Sequence, residues 1–477
     1  VRWLTRGLAG LLVLTLVVAG IAAWRLDLIG PWYDHFFDDP PAAQPGPQGP
    51  AEVPPPPGLD LPAIPVVEPL AAELPAAGRV SPVKVQQALA TYLADPDLGP
   101  HVVAAVSDLT TGRVLARIGS GAAIPASTTK VLTGVAAMEA LGPETTFTTR
   151  VVTGGKGRIV LVGGGDPFLM SAPVDEDGPS YPVRADIVTL AQETATALRA
   201  QGRKRVSLGY DDSLFSGPGF NPAWPASYVD EDVVSPITAL WVDEGREPDS
   251  FRRVADPSLY ATQVFAAALL VEGITVVGDP TRGIAKGGAE LASVSSAPLR
   301  EIVERVLEVS DNEAAEVLAH HVGLAVRDTA SFADGVDGVL RTLRGLGVPL
   351  DGIEIHDGSG LSRENRITPE ALVAVLRAAA NDPTLRGVIA SLPVSGFTGS
   401  LTDRFDGPHP EARGLVRAKT GTLTAVSSLA GIVVDQQGHE LVFVLMADDI
   451  EKPREEDAED ALDDAAASLA ACFCGKP

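Results

Sequence analysis

Ala126-Ser127-Thr128-Thr129-Lys130-Val131-Leu132 opens a helical pattern that runs to about Leu141, with Val131, Leu132, Val135 and Met138 as its buried stripe. Ser127 and Lys130 lie three residues apart, just under one turn, so their side chains share a helix face. A helix start also offers unpaired N–H groups and a field that suits a developing oxyanion. A serine hydroxyl is a weak nucleophile until something takes its proton. A neutral lysine can do that, whereas an arginine stays protonated. Only eight of the 37 Lys and Arg residues are Lys, so a lysine here is informative. The spacing alone is weak, because Ser81-Pro82-Val83-Lys84 fits it as well. There Ser81 reads as a helix cap and Lys84 as solvated surface.

Two more stretches change the weight of Ser127. Ser310-Asp311-Asn312 lies between helical segments 301–307 and 313–322, and Lys419-Thr420-Gly421, followed by Thr422, lies in a predicted strand at 415–423. S-x-x-K, S-D-N and K-T-G in that order are the signature of penicillin-binding proteins and serine β-lactamases. Roughly 180 residues separate Ser127 from Ser310. With that long insertion the chain resembles, over about residues 80–470, the class C low-molecular-mass penicillin-binding proteins, the D-alanyl-D-alanine carboxypeptidase/endopeptidase family. Gly163-Gly164-Gly165-Asp166-Pro167, 356–362 and 391–399 resemble that family too.

The resemblance implies an α/β (α+β) chain with the β-lactamase/transpeptidase-like fold: an antiparallel sheet flanked by helices, with a large α/β module inserted between the first and second motifs. It implies a serine-type D-Ala-D-Ala carboxypeptidase working through an acyl-enzyme on peptidoglycan stem peptides, with β-lactam antibiotics as acylating inhibitors. Ser127 is then the nucleophile. Lys130 takes its proton, directly or through Ser310, and is kept neutral by burial and by the cation of Lys419. Ser310 passes a proton to the leaving amine. Asn312 holds a substrate amide, and Lys419, Thr420, Gly421 and Thr422 line the place of the terminal carboxylate. The backbone N–H groups of Ser127 and Thr422 form the oxyanion hole. No metal or cofactor is implied. A β-lactamase or esterase on the same fold stays open, as does a non-catalytic wall-binding scaffold.

The remaining pattern agrees with one sheet assembled from both ends of the chain. Residues 101–107 and 113–118 read as a hairpin, and 415–423, 428–435 and 441–446 read as late strands. Between them, 149–153 and 158–162 form a second hairpin, 186–200 an amphipathic helix and 206–210 a strand. Asp357-Gly358-Ser359-Gly360 reads as a tight turn with a structural role. His320 and His321, adjacent in sequence, read as ordinary helix residues. The expected organisation is a signal anchor or signal peptide over 1–25, a Pro-rich linker over 26–76, catalytic parts over 77–147 and 297–470, the inserted module over 148–296, and a tail over 471–477.

Arg2 and Arg6 precede an uncharged apolar run, 8–24, which reads as an export signal, with a retained membrane anchor favoured over a cleaved peptide. The bulk of the chain is then extracytoplasmic. Prolines over 40–75 make an extended spacer that, at about 3.1 Å per residue, holds a domain roughly 100 Å from a membrane. A formal net charge of −25 argues against nucleic acid as a partner. Cys472 and Cys474 are too few for a disulfide framework and read as part of an unstructured tail.

Overall fold

The computed structural model describes residues 78–174, 181–248 and 250–475. The expected anchor at 8–24 and the Pro-rich linker lie outside the described residues. Among the described residues no helix is long and apolar enough to cross a membrane.

Pro82 at the first helical position starts α1 (Pro82–Ala90), where its missing N–H costs nothing. Strands β1 (Val102–Asp108) and β2 (Val114–Ile118) form the first hairpin. Helix α2 (Thr129–Leu141) follows, and every residue from Thr129 to Met138 is buried. A helix enclosed on all sides needs no polar face, which is why its pattern is apolar nearly all round.

The chain then builds a second sheet. Strands β3 (Thr148–Thr153) and β4 (Arg158–Val162) pair antiparallel. Helix α3 (Ile187–Ala200), capped by Asp186, leads to β5 (Arg205–Asp211), which pairs parallel with β4. Helix α4 (Pro257–Val271) packs beside α3, and short strands β6 (Thr275–Val276) and β7 (Thr281–Arg282) pair with β5. Strand β8 (Glu290–Ser295) closes this six-stranded mixed sheet against β3. Its core includes Val151, Leu161, Leu190, Leu198, Leu208 and Phe265.

Four long helices come next, α5 (Leu299–Val309), α6 (Asn312–Arg327), α7 (Phe332–Gly345) and α8 (Pro369–Asn381), followed by a short helical turn at Arg386–Ala390. Strands β9 (Val416–Leu423), β10 (Val426–Val434) and β11 (Glu440–Ala447) return to the first sheet, whose order is β2-β1-β11-β10-β9. Every neighbouring pair in it is antiparallel. The early hairpin thus joins the late strands through β1 and β11, as the sequence pattern predicts. Helix α9 (Glu455–Ala471) completes the fold.

Both faces of this sheet are covered. Val442, Val444 and Met446 of β11 face α2, α5 and α8, while Leu441, Phe443 and Leu445 face α1 and α9. Double burial explains why β11 reads as an unbroken apolar run rather than an alternation.

Two expectations near the entry helix need correction. Lys84 is not free surface: its Nζ donates to the carbonyls of Phe473 (2.8 Å) and Gly475 (2.7 Å). Ser81 occupies the N-cap position, but its side chain makes no capping bond. The C-terminal segment is ordered as well. Cys474 is buried, its carbonyl accepts from Ser81 N–H at 2.7 Å, and Cys472 and Cys474 are disulfide-bonded. This segment is held by a bridge from Val80 to Gly475, almost 400 positions apart, and by bonds to Asp435, Gln436 and Gln437, none of which leaves a local sequence pattern.

Candidate active site

Ser127 sits half-buried in a single 3-10 turn, Ala126–Thr128, that feeds α2. Ala126 takes a left-handed backbone conformation (φ 48), unusual for a residue with a side chain. Thr128 Oγ1 donates to Pro125 O (2.7 Å) and Thr129 Oγ1 to Ala126 O (2.9 Å), pinning the turn from within. Two glycines let other segments close on it. Gly360 (φ +88) lies so near that an added Cβ would fall 1.8 Å from the Ala126 carbonyl oxygen. A Cβ on Gly421 would fall 2.2 Å from Ser428 Oγ, 2.6 Å from Pro125 O and 3.1 Å from Ser127 N. The glycine of the K-T-G motif is therefore required by contact with the serine turn.

Lys130 is fully buried, and its Nζ donates to Ser127 Oγ (2.9 Å), Asn312 Oδ1 (2.7 Å) and the Ser359 carbonyl (2.7 Å). Burial lowers its pKa to about 8, against the opposing pull of Asp357, Asp311, Glu316 and Glu313. The expected help from Lys419 falls instead on Lys419 itself. Burial first, then Lys130 and Arg404, push that lysine well below the usual range. Lys419 is fully buried, and its Nζ donates to the carbonyl of Thr420 at 3.0 Å.

The S-D-N stretch is the joint between two helices. Ser310 caps α5 in a left-handed conformation (φ 63), Asp311 caps α6 by accepting from Ala314 N–H (2.9 Å), and Asn312 is the first residue of α6. That joint presents Asn312 to Lys130 of α2. The hydrogen bond between Lys130 Nζ and Ser127 Oγ does not pass through Ser310.

Strand β9 is an edge of its sheet. Ala418 N–H leaves the sheet and donates to Pro393 O at 2.9 Å. Backbone groups alternate along a strand, so Thr420 and Thr422 aim their N–H groups at that same edge. Thr420 Oγ1 pairs with Ser400 Oγ at 2.8 Å. The exposed Thr422 donates from Oγ1 to Glu459 Oε2 at 3.2 Å, and Glu459 is paired in turn with Arg404 at 2.9 Å. The structure therefore brings Ser127, Lys130 and Asn312 into direct contact. It sets Gly421 against the serine turn, while Ser310 is half-buried and Thr422 exposed.

The sequence reading missed the polar ring behind Lys130. Glu316 is buried and accepts from Gly358 N–H (3.0 and 3.1 Å) and Ser359 N–H (2.7 Å), fixing the loop whose carbonyl holds Lys130. Its carboxyl is pushed up to about 8 by burial and then by Asp357. The signal for Glu316 was available, since it lies four residues after Asn312 on the same helix face. His320 and His321 are buried, and His321 stacks on Phe147 with ring centroids 3.8 Å apart.

The chain is similar to known proteins. The family model for "D-Ala-D-Ala carboxypeptidase 3 (S13) family" matches residues 85–250 and 246–469. Carboxypeptidase DacB of Mycolicibacterium smegmatis is 37% identical over 99% of both chains. A carboxypeptidase of Mycobacterium tuberculosis is 36% identical over 90% of this chain and 91% of its own. Among solved structures, penicillin binding protein 4 of Haemophilus influenzae shares the fold, with a TM-score of 0.65 at 22% identity over 80% of this chain and 98% of that one. With the family model spanning both halves of the fold, this chain belongs to the D-Ala-D-Ala carboxypeptidase 3 (S13) family and is a serine-type DD-peptidase.

Proposed function

We propose that Ser127 is the nucleophile of a D-Ala-D-Ala carboxypeptidase reaction on peptidoglycan stem peptides. Neutral Lys130 takes the Ser127 proton as Oγ attacks the carbonyl between the two D-alanines. The oxyanion is received by the backbone N–H groups of Ser127 and Thr422. As the C–N bond breaks, Ser310 gives its hydroxyl proton to the departing amine and regains one from the Lys130 ammonium, so free D-alanine leaves and Lys130 is neutral again. Water then attacks the ester carbon as Lys130 takes its proton, and Lys130 returns that proton to Ser127 Oγ as the C–Oγ bond breaks, which frees the acid and regenerates Ser127. Asn312 and the β9 edge hold the peptide, while Lys419, Thr420 and Thr422 receive the terminal carboxylate. On a cross-linked stem the same steps expel a peptide amine, which is the endopeptidase variant of this reading.

The observation that carries the proposal is a fully buried lysine with its Nζ 2.9 Å from Ser127 Oγ. The same reading assigns residues 77–147 and 297–470 to the catalytic part and 148–296 to an inserted module. Action on the cell wall places the enzyme outside the cytoplasm, and the apolar run 8–24 serves as its membrane anchor. The test is to mix the full chain with benzylpenicillin, follow intact mass and map the adduct. A stable adduct on Ser127 is expected. An adduct on another residue, or drug consumed without an adduct, sinks the assignment.

A further inference from the structure

Asp357 belongs to no motif that carries chemistry in the reading above, yet it is fully buried beside Lys130. Four donors converge on its carboxylate, two on each oxygen. Trp224 Nε1 (2.8 Å) and Ser362 N–H (2.6 Å) reach Oδ2, while Gly360 N–H (2.9 Å) and Asn365 Nδ2 (2.8 Å) reach Oδ1. The four donors fix the carboxylate in place. The Gly360 N–H belongs to the same peptide unit as the Ser359 carbonyl, and that carbonyl accepts from Lys130 Nζ at 2.7 Å. A negative charge on the N–H side of a peptide group polarises it, so its oxygen becomes a stronger acceptor. Asp357 thus reaches Lys130 in two ways, through space and through one peptide bond.

We propose that Asp357 is a positioning residue for the carboxypeptidase reaction, which sets how tightly the Lys130 ammonium is held and therefore the pH at which Ser127 is activated. The inference rests on Lys130 being the base that activates Ser127. Other charges also face Lys130: Asp311 at the α5–α6 joint, Glu313 and Glu316 on α6, and Lys419 on β9. Glu313 forms an ion pair with Arg253 at 2.5 Å, and Glu316 is the carboxyl that burial and Asp357 push up to about 8. Asp357 is the carboxylate joined to the Lys130 acceptor through a single peptide group.

The sign follows directly. A negative charge stabilises the ammonium, so removing it frees the lysine's proton at lower pH. The rate of acylation by benzylpenicillin would be measured from about pH 6 to about pH 10 on the full chain. In Asp357→Asn the acid limb should move down by about one pH unit. Trp224→Phe removes one donor from the carboxylate, so its limb should make a smaller move upward. A lowered plateau with an unmoved limb in either folded variant would make Asp357 a strut of the loop and overturn the proposal. If Asp357→Asn does not fold, Trp224→Phe decides alone. Lys130→Arg separates the two readings. Full acylation in it would remove Lys130 as the base. No acylation in it, with unmoved limbs in the other variants, would remove only the role of Asp357.

Discussion

The chain carries the S-x-x-K spacing twice, and the two copies have little else in common. At Ser81–Lys84 the serine precedes a helix in an ordinary extended conformation (φ −91), and the lysine donates to two tail carbonyls. At Ser127–Lys130 the preceding residue is left-handed, the lysine is fully buried, and it points back at its own serine. Spacing puts two side chains on one helix face and does no more. Activation comes from what surrounds that face: a lysine stripped of water, and acceptors from two distant segments to hold it. Ser310-Asp311-Asn312 and Lys419-Thr420-Gly421 mark those surroundings in the sequence, and no such partners exist for Ser81.

The comparison is most easily broken at the two serines. Ser127→Ala should abolish acylation by benzylpenicillin, a loss of roughly four orders of magnitude or more, while Ser81→Ala leaves the rate unchanged. Comparable losses in both variants, read by intact mass over time, would mean that the surroundings do not select the nucleophile.

A smaller effect should appear at the strand that completes the second copy. Lys419 is buried, its neighbours Lys130 and Arg404 are cations, and its Nζ is held by a main-chain carbonyl. A substrate carboxylate would supply the missing counter-charge. Lys419→Met should therefore lower kcat/KM about 100-fold for a peptide ending in free D-Ala-D-Ala. The same peptide amidated at its C-terminus should lose far less. Equal losses on the two peptides would assign Lys419 to proton transfer or packing rather than to carboxylate recognition.

Much of this was legible because each motif has a local cause. The helix at 129–141, the hairpins and the late strands follow from periodicity, and Ser310-Asp311-Asn312 is readable as a cap between two helices. What escaped was held together by long-range contacts. Asp357-Gly358-Ser359-Gly360 reads as a turn, and Gly360 does serve one, but nothing local shows that the Ser359 carbonyl lands 2.7 Å from Lys130 Nζ. The same holds for Ser400 beside Thr420 and for the tail around Cys474, whose partners lie far away in the chain. Helix periodicity reports which face is buried, not which polar atom meets it there.

The smallest expected effect is at Lys84, and it tests the other half of the comparison. Its two hydrogen bonds run from a half-buried ammonium to main-chain carbonyls at 2.8 and 2.7 Å. Bonds of this kind are partly replaced by water when removed, so Lys84→Ala should cost about 1 kcal/mol of stability in denaturant unfolding. Its acylation rate should match the parent protein, because the tail bonds to α1 and to the turn after β10 rather than to the serine turn. Loss of acylation at unchanged stability would tie the tail to the active site and erase the distinction between the two lysines. Loss of stability alone would leave Lys84 as a clasp joining the two ends of the folded unit, with the chemistry confined to the copy that burial has enclosed.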